Sequence, residues 1–404
     1  MYNILKKNDP KIIFSIFFIF SILSNNVDIP ILTYGRFKVF EFISLVPILF
    51  IGLSNFFNKD KYIFDLLKSF LICLFTLSLV AAFFQISFKP IIYSLTFCCF
   101  VFSLYLFSNV QKNNWKFNLR DIIETIILIC FVFLILSLIF GGNKYGSEYI
   151  TTFRFRGIFN NSNQLGRFAA LTSLISIIYI IEYNNISKLS KHISYFNILC
   201  GSLFLLFSNS RSAILVFVIS LIFYFIILEK EKKNALIKNI KKNFFLYIYL
   251  FFILFLVGHE GILNIFLKFK DFRIEEGITS YRLNFLQSSY EYLNFFGYKN
   301  FKNETDICVE FFKVWPRIEC DIHNLYLNIF LNFGGIFLLI FILLILFIFI
   351  DSYKKKLFNK IERVYVLVLI IFSSTMYLFE NGILYTNFML VFLFYGFLCR
   401  TKKS

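Results

Sequence analysis

Long apolar runs alternate with short polar gaps along the whole chain. Most runs hold roughly 20 residues, the length that an α-helix needs to cross about 30 Å of hydrocarbon. The pattern predicts an all-α polytopic membrane protein with about twelve transmembrane helices. The predicted spans lie at 12–32, 39–57, 66–84, 90–110, 122–141, 165–182, 195–208, 213–228, 244–257, 324–350, 364–380 and 383–399.

One polar interruption, 258–322, is far longer than the others. It divides the chain into transmembrane helices 1–9 over 1–257, a large loop over 258–322 and helices 10–12 over 323–404. Lys and Arg concentrate in the odd-numbered gaps, counted from the N-terminus, and such basic gaps face the cytoplasm. This distribution predicts cytoplasmic termini, an even number of spans and a periplasmic large loop.

Composition supports the membrane assignment and excludes other classes. Of the 404 residues, 58% are hydrophobic and 16% are charged, which is too apolar for a soluble globular or disordered protein. The net charge of +17 would suit a nucleic-acid partner. However, the basic residues stand in short clusters between apolar runs, which is typical of a topology signal. We therefore expect no nucleic-acid partner.

Two of the eight cysteines, Cys308 and Cys320, lie in the large loop, whereas the others lie in apolar spans. A periplasmic loop faces an oxidising compartment, where disulfides form and persist. We therefore expect a structural disulfide between Cys308 and Cys320. Two unpaired loop thiols are the alternative.

The segment 154–167, just before the sixth predicted span, collects arginines, asparagines and glycines. Gly157 and Gly166 allow backbone conformations or close approaches that larger residues do not. An ordinary polar turn, with arginines reaching lipid headgroups, has the same composition, so composition leaves both interpretations open. The candidate binding residues here are Arg154, Arg156, Asn160 and Asn163.

Arg211 stands in a very short polar interruption, Ser208–Ser212, between two apolar runs. It must therefore lie at or inside the mouth of the membrane, where an arginine costs up to roughly 2.5–3.5 kcal/mol at the bilayer centre. Membrane arginines usually face a cavity and a partner. A guanidinium group stays charged and binds phosphate oxygens through two parallel hydrogen bonds.

The large loop and its end supply the remaining candidates. Arg282 lies on a predicted amphipathic helix, and His323 precedes Asn324 where the tenth span begins. Imidazole titrates near neutrality and can accept a proton from a hydroxyl group, although a histidine at a helix start can also be a cap or an interfacial residue. No cluster has metal-ligand spacing, and no dinucleotide, phosphate-loop or serine-nucleophile motif occurs. We expect no metal and no cofactor.

The order of these motifs resembles the O-antigen polymerase and O-antigen ligase superfamily. The resemblance covers the topology of the whole chain and the motifs from Arg154 to Gly334. It implies a bacterial inner-membrane glycosyltransferase of GT-C-like character that uses undecaprenyl-diphosphate-linked sugars on the periplasmic face. The motifs are Arg156-Gly157-x-Phe159-Asn160-x-x-Asn163, Ser210-Arg211-Ser212, the loop with Arg282, and His323-Asn324 followed by Gly334.

The resemblance leaves two enzymatic activities and one non-enzymatic function open. The asparagine-rich segment before the sixth span favours a polymerase that joins lipid-linked repeat units. A ligase that transfers the glycan to lipid A–core is the alternative, and a flippase or transporter is the third interpretation. As partners we expect the lipid-linked oligosaccharide, membrane lipids, and the chain-length regulator and flippase of the same pathway. The implied roles are catalysis by His323, Arg282 and Arg211, and diphosphate or glycan binding by Arg154, Arg156, Asn160, Asn163 and Asn324.

Overall fold

The computed structural model describes residues 15, 18–19, 64–85, 119–140, 155–159, 161–242, 324–354, 360–379, 391 and 394. Within these ranges the regular secondary structure consists of α-helices. The helices are α1 (Phe64–Gln85), α2 (Leu119–Phe140), α3 (Ser162–Glu182), α4 (Lys188–Phe207), α5 (Arg211–Ile227), α6 (Lys230–Lys242), α7 (Leu325–Phe333), α8 (Gly335–Lys354) and α9 (Lys360–Tyr377).

The described helices agree well with the predicted apolar spans, since α1, α2, α3, α5 and α9 each match one within three or four residues. By length and composition, three of the described helices can cross a membrane: Leu119–Ile139 within α2, α3, and α8. The helical, apolar character of the chain is therefore confirmed in this part, whereas twelve spans remain a prediction. The predicted spans 12–32, 39–57, 90–110, 244–257 and 383–399, and the large loop 258–322, lie wholly or mostly outside the described residues.

Helix α4 is longer than its predicted span, because it begins at Lys188 rather than at 195. Ser187 caps it: the Ser187 hydroxyl oxygen accepts a hydrogen bond from the Ser190 N–H at 3.1 Å. This cap starts the helix two turns before the apolar run begins, and hydropathy does not register a cap.

The predicted span 324–350 is two helices rather than one, because α7 ends at Gly334 before α8 begins. Gly334 has φ +90°, a backbone conformation that favours glycine, and its N–H donates to the Phe330 carbonyl at 2.8 Å. The other end of α7 is capped by Asn324, whose Oδ1 accepts from the Leu327 N–H at 3.0 Å.

Two compact units contain these helices. In the first, α3 is the central helix and packs against α2, α4 and α5. A Cβ atom on Gly201 of α4 would lie 2.2 Å from the Ser173 hydroxyl oxygen and 3.1 Å from the Ala169 carbonyl oxygen of α3. Small residues at such an interface let two helix backbones approach closely. The first unit comprises residues 1–44 and 115–271, and the second comprises 45–114 and 272–404.

The second unit contains α1, α7, α8 and α9 among its described helices. The Tyr326 hydroxyl group of α7 donates to the Ser374 carbonyl of α9 at 3.1 Å. The rings of Phe70 on α1 and Phe347 on α8 have centroids 6.0 Å apart. Helix α8 also packs against α7 and α9, so apolar and aromatic side chains join the four helices.

Helix α6 was not predicted from the sequence, where its residues form the basic gap after the eighth span. It follows α5 after a break of two residues. Helix α6 contacts α5, since the Lys233 Nζ atom lies 4.3 Å from the centroid of the Phe225 ring. The helix is rich in lysine and therefore polar on average, so a search for apolar runs does not detect it.

Candidate functional site

Two motifs that are far apart in sequence meet at one end of the first unit. The Phe155 N–H donates to the Phe207 carbonyl at 3.0 Å, and the rings of Phe155 and Phe204 have centroids 5.1 Å apart. The segment before α3 is thereby attached to the end of α4. We call residues 155–159, 161–167 and 208–212 the arginine end.

Gly166 permits the closest approach at this end. A Cβ atom on Gly166 would lie 2.6 Å from the Ser208 hydroxyl oxygen and 2.7 Å from the Ser210 Cβ. Real Cβ atoms do not tolerate such distances, so any larger residue would displace the turn between α4 and α5. The close approach that the sequence suggested for Gly166 is therefore present.

Gly157 has the special backbone that the sequence also suggested, with φ +59°. A Cβ atom there would lie 2.7 Å from the Ser137 Cβ of α2. The Phe159 N–H donates to the Arg156 carbonyl at 3.1 Å and closes a tight turn around Gly157. Arg156 is half-buried and stands at the start of this turn.

The N-terminus of α3 holds a second arginine that sequence reasoning did not assign to the site. Asn161 caps the helix, because its Oδ1 accepts from the Gln164 N–H at 2.9 Å. One turn on, the Arg167 Nε donates to the Asn163 carbonyl at 3.1 Å, and Arg167 is only 6% exposed. The spacing of four residues is the sequence signal that could have linked Arg167 to the candidate Asn163.

The turn that carries Arg211 is polar and yet buried. Ser208, Asn209 and Ser210 are 0%, 4% and 2% exposed. Helix α5 begins at Arg211, and Ser210 caps it without a side-chain hydrogen bond. A helix N-terminus has backbone N–H groups that lack intrahelical partners, and its dipole favours negative charge. The start of α5, with Arg211 as its first residue, can therefore bind an anion.

The remaining candidates are placed only in part. Asn324 belongs to the second unit and caps α7, so it has a structural contact whether or not it binds a glycan. No group of three or more His, Cys, Asp or Glu that could hold a metal ion occurs in the part of the chain that the structure describes. The residues Arg154, Asn160, Arg282, Cys308, Cys320 and His323 lie outside the described residues.

Residues 196–342 match a family model described as O-antigen ligase. This match confirms the resemblance to the O-antigen polymerase and ligase superfamily. The segment 155–167 precedes the matched region, but in the structure it packs on the turn 208–212 inside it. Among curated proteins, none matches this chain. The matched region includes Arg211, Arg282, His323 and Asn324.

Proposed function

We propose that the protein is a surface-polysaccharide polymerase of the O-antigen type. It joins undecaprenyl-diphosphate-linked oligosaccharide repeat units on the periplasmic face of the bacterial inner membrane. One observation carries this proposal: the segment with Arg156 packs directly on the turn with Arg211, in the region that the O-antigen ligase family model matches.

The reaction needs the chemistry that arginines supply. The hydroxyl group of the acceptor sugar attacks the anomeric carbon of the donor, the bond to the lipid diphosphate breaks, and the diphosphate leaves. The diphosphate is a good leaving group, so it requires stabilisation of its developing negative charge rather than a proton. Arg211, together with the N-terminus of α5, would bind it, and Arg156 on the adjoining turn would add a second positive charge.

The acceptor hydroxyl group must lose its proton, and His323 is the proposed general base. His323 directly precedes Asn324, which caps α7. Arg282 of the large loop would complete the diphosphate site, and the Cys308–Cys320 disulfide would restrain that loop. Arg154, Asn160, Asn163 and Asn324 would contact the glycan or the diphosphate.

An O-antigen ligase is the second candidate, because the matching family model carries that description. The two activities share the donor and its leaving group and differ in the acceptor. The acceptor of a polymerase is another lipid-linked repeat unit, whereas the acceptor of a ligase is lipid A–core.

Reconstitution separates these functions. Purified full-length protein in proteoliposomes receives a lipid-diphosphate repeat unit, with or without lipid A–core, and the product lengths are read on a gel. A polymerase gives a ladder from the repeat unit alone, whereas a ligase gives product only when the acceptor is present. Movement of the substrate across the bilayer without a new glycosidic bond would contradict both.

The same assay tests the base. We expect His323→Ala to lower activity roughly 10²- to 10⁴-fold at normal protein levels, because a general base contributes that much. His192→Ala is the matched control, since His192 is exposed on α4. Full activity of His323→Ala would rule out His323 as the base.

A further inference from the structure

The turn between α4 and α5 has one unusual residue. Asn209 has φ +51°, and among the described residues it is the one non-glycine residue with a positive φ. A left-handed backbone is unfavourable for most L-amino acids, and asparagine tolerates it best. Non-glycine residues in this conformation persist where the surrounding structure enforces it, and they cluster at functional sites.

The surroundings hold this turn from several sides. The Phe207 carbonyl before it accepts the Phe155 N–H at 3.0 Å, and the Asn209 N–H donates to the Leu206 carbonyl at 3.0 Å. Gly166 of α3 packs so closely against Ser208 and Ser210, on either side of Asn209, that a Cβ atom would not fit there. The turn therefore has little freedom to relax into another conformation.

The side chain of Asn209 does not account for this arrangement. It is 4% exposed, and its Oδ1 is buried without a hydrogen-bond partner in the described part of the chain. A buried amide oxygen without a donor is destabilising, so this atom does not hold the turn in place. What asparagine contributes is its tolerance of the left-handed backbone.

We propose that Asn209 is the positioning residue for Arg211. Its left-handed backbone lets the chain reverse within three residues, so that α5 starts with Arg211 beside the segment 155–167. The inference rests on the proposed function, because Arg211 is taken to bind the diphosphate. A misplaced cation would stabilise the leaving group less, so the effect should appear mainly in kcat.

Two substitutions test the backbone role in the proteoliposome assay. Glycine adopts a left-handed backbone without strain and introduces no charge into the buried turn. We expect Asn209→Gly to keep activity within about three-fold, whereas Asn209→Ala should lower kcat roughly ten- to hundred-fold with little change in KM. Asn184→Ala, in the exposed turn between α3 and α4, is the matched control.

Thermal protection by undecaprenyl diphosphate gives a readout that does not require turnover. We expect Asn209→Gly to be protected like the wild type. Asn209→Ala should be protected less, because free undecaprenyl diphosphate carries the negative charge that the leaving group develops and that the sugar-linked substrate lacks. Wild-type behaviour of Asn209→Ala would overturn the proposal. So would equal impairment of the folded Asn209→Gly and Asn209→Ala variants, because the amide would then act directly. If Asn209→Ala fails to fold, loss of protection in Asn209→Gly overturns it. If the wild-type protein makes no glycosidic bond but undecaprenyl diphosphate still protects it from thermal unfolding, the proposed function is refuted and the positioning role is not.

Discussion

The two ends of α3 use charged residues in opposite ways. Residues 120–124, 179–183 and 224–232 form what we call the carboxylate end, roughly 30 Å along α3 from the arginine end at about 1.5 Å per residue. Here Glu182 is buried, and its two oxygens accept hydrogen bonds from the Tyr224 hydroxyl group at 3.1 Å and from the Lys232 Nζ at 2.5 Å. These contacts attach α3 to both α5 and α6.

A second acid at the carboxylate end is bound in the same manner. The Glu124 Oε1 accepts from the Arg120 Nε at 2.8 Å and from the Tyr179 hydroxyl group at 2.5 Å. The Arg120 guanidinium also lies 5.9 Å from the centroid of the Tyr183 ring. Acids, bases and tyrosines at this end therefore bind one another, and their contacts join α2, α3, α5 and α6.

The arginine end has no Asp or Glu among its described residues. The hydrogen bonds of its polar side chains include contacts to backbone carbonyls, such as Arg167 Nε to Asn163 and Ser208 Oγ to Leu205. Its close packing requires glycines, since a Cβ atom on Gly157 or Gly166 would overlap a serine side chain. Charge therefore supports the fold at the carboxylate end, whereas the arginine end carries Arg156 and Arg211, to which our proposal assigns the diphosphate.

The largest expected effect is on activity. Arg211→Lys keeps the charge but loses the planar pair of donors, so we expect activity to fall roughly 10²- to 10³-fold, as when a transition-state donor is removed. Arg120→Lys at the carboxylate end is the matched control and should change activity less than about three-fold. Both variants are compared in the proteoliposome assay at equal protein levels. Similar losses of activity in the two variants would contradict the proposed difference between the two ends of α3.

The second prediction concerns stability at the carboxylate end. Lys232→Met leaves the buried Glu182 carboxylate with Tyr224 alone, and we expect it to destabilise the fold by about 3 kcal/mol. The measurement is the thermal melting temperature in detergent. Lys238→Met, exposed on the same helix, should leave the melting temperature unchanged. Glu182→Leu combined with Lys232→Met should recover part of the loss, since no buried charge remains. An unchanged melting temperature of Lys232→Met would contradict a structural role.

The smallest expected effect compares two glycines of the same unit. Gly166→Ala at the arginine end and Gly201→Ala between α3 and α4 both introduce a Cβ atom into contact with serine side chains. Each should lower stability by about 1–3 kcal/mol, as overpacking does. Only Gly166→Ala should also lower the activity per folded molecule, because it displaces the turn with Arg211. Equal specific activities of the two variants would show that the turn position does not matter.

Local patterns explain which parts of the fold were predictable. A long apolar run is a property of neighbouring residues, so it located α2, α3 and α5 directly. The start of α4 depends on the Ser187 cap, and the end of α7 depends on the positive φ of Gly334. Hydropathy contains neither signal. Helix α6 is amphipathic and basic and contains no long apolar run, so the search for such runs did not predict it.

The sequence by itself determined that this chain is helical and apolar, and it identified the motifs with Arg156 and Arg211 that resemble a glycosyltransferase superfamily. Only the tertiary structure decided that these motifs adjoin, that Gly166 allows their close contact, and that Glu182 binds Tyr224 and Lys232. The physical reason is the distance along the chain over which the deciding interactions act. Helix formation depends on residues within a few positions, whereas the partner of a glycine or a buried carboxylate depends on how whole helices pack.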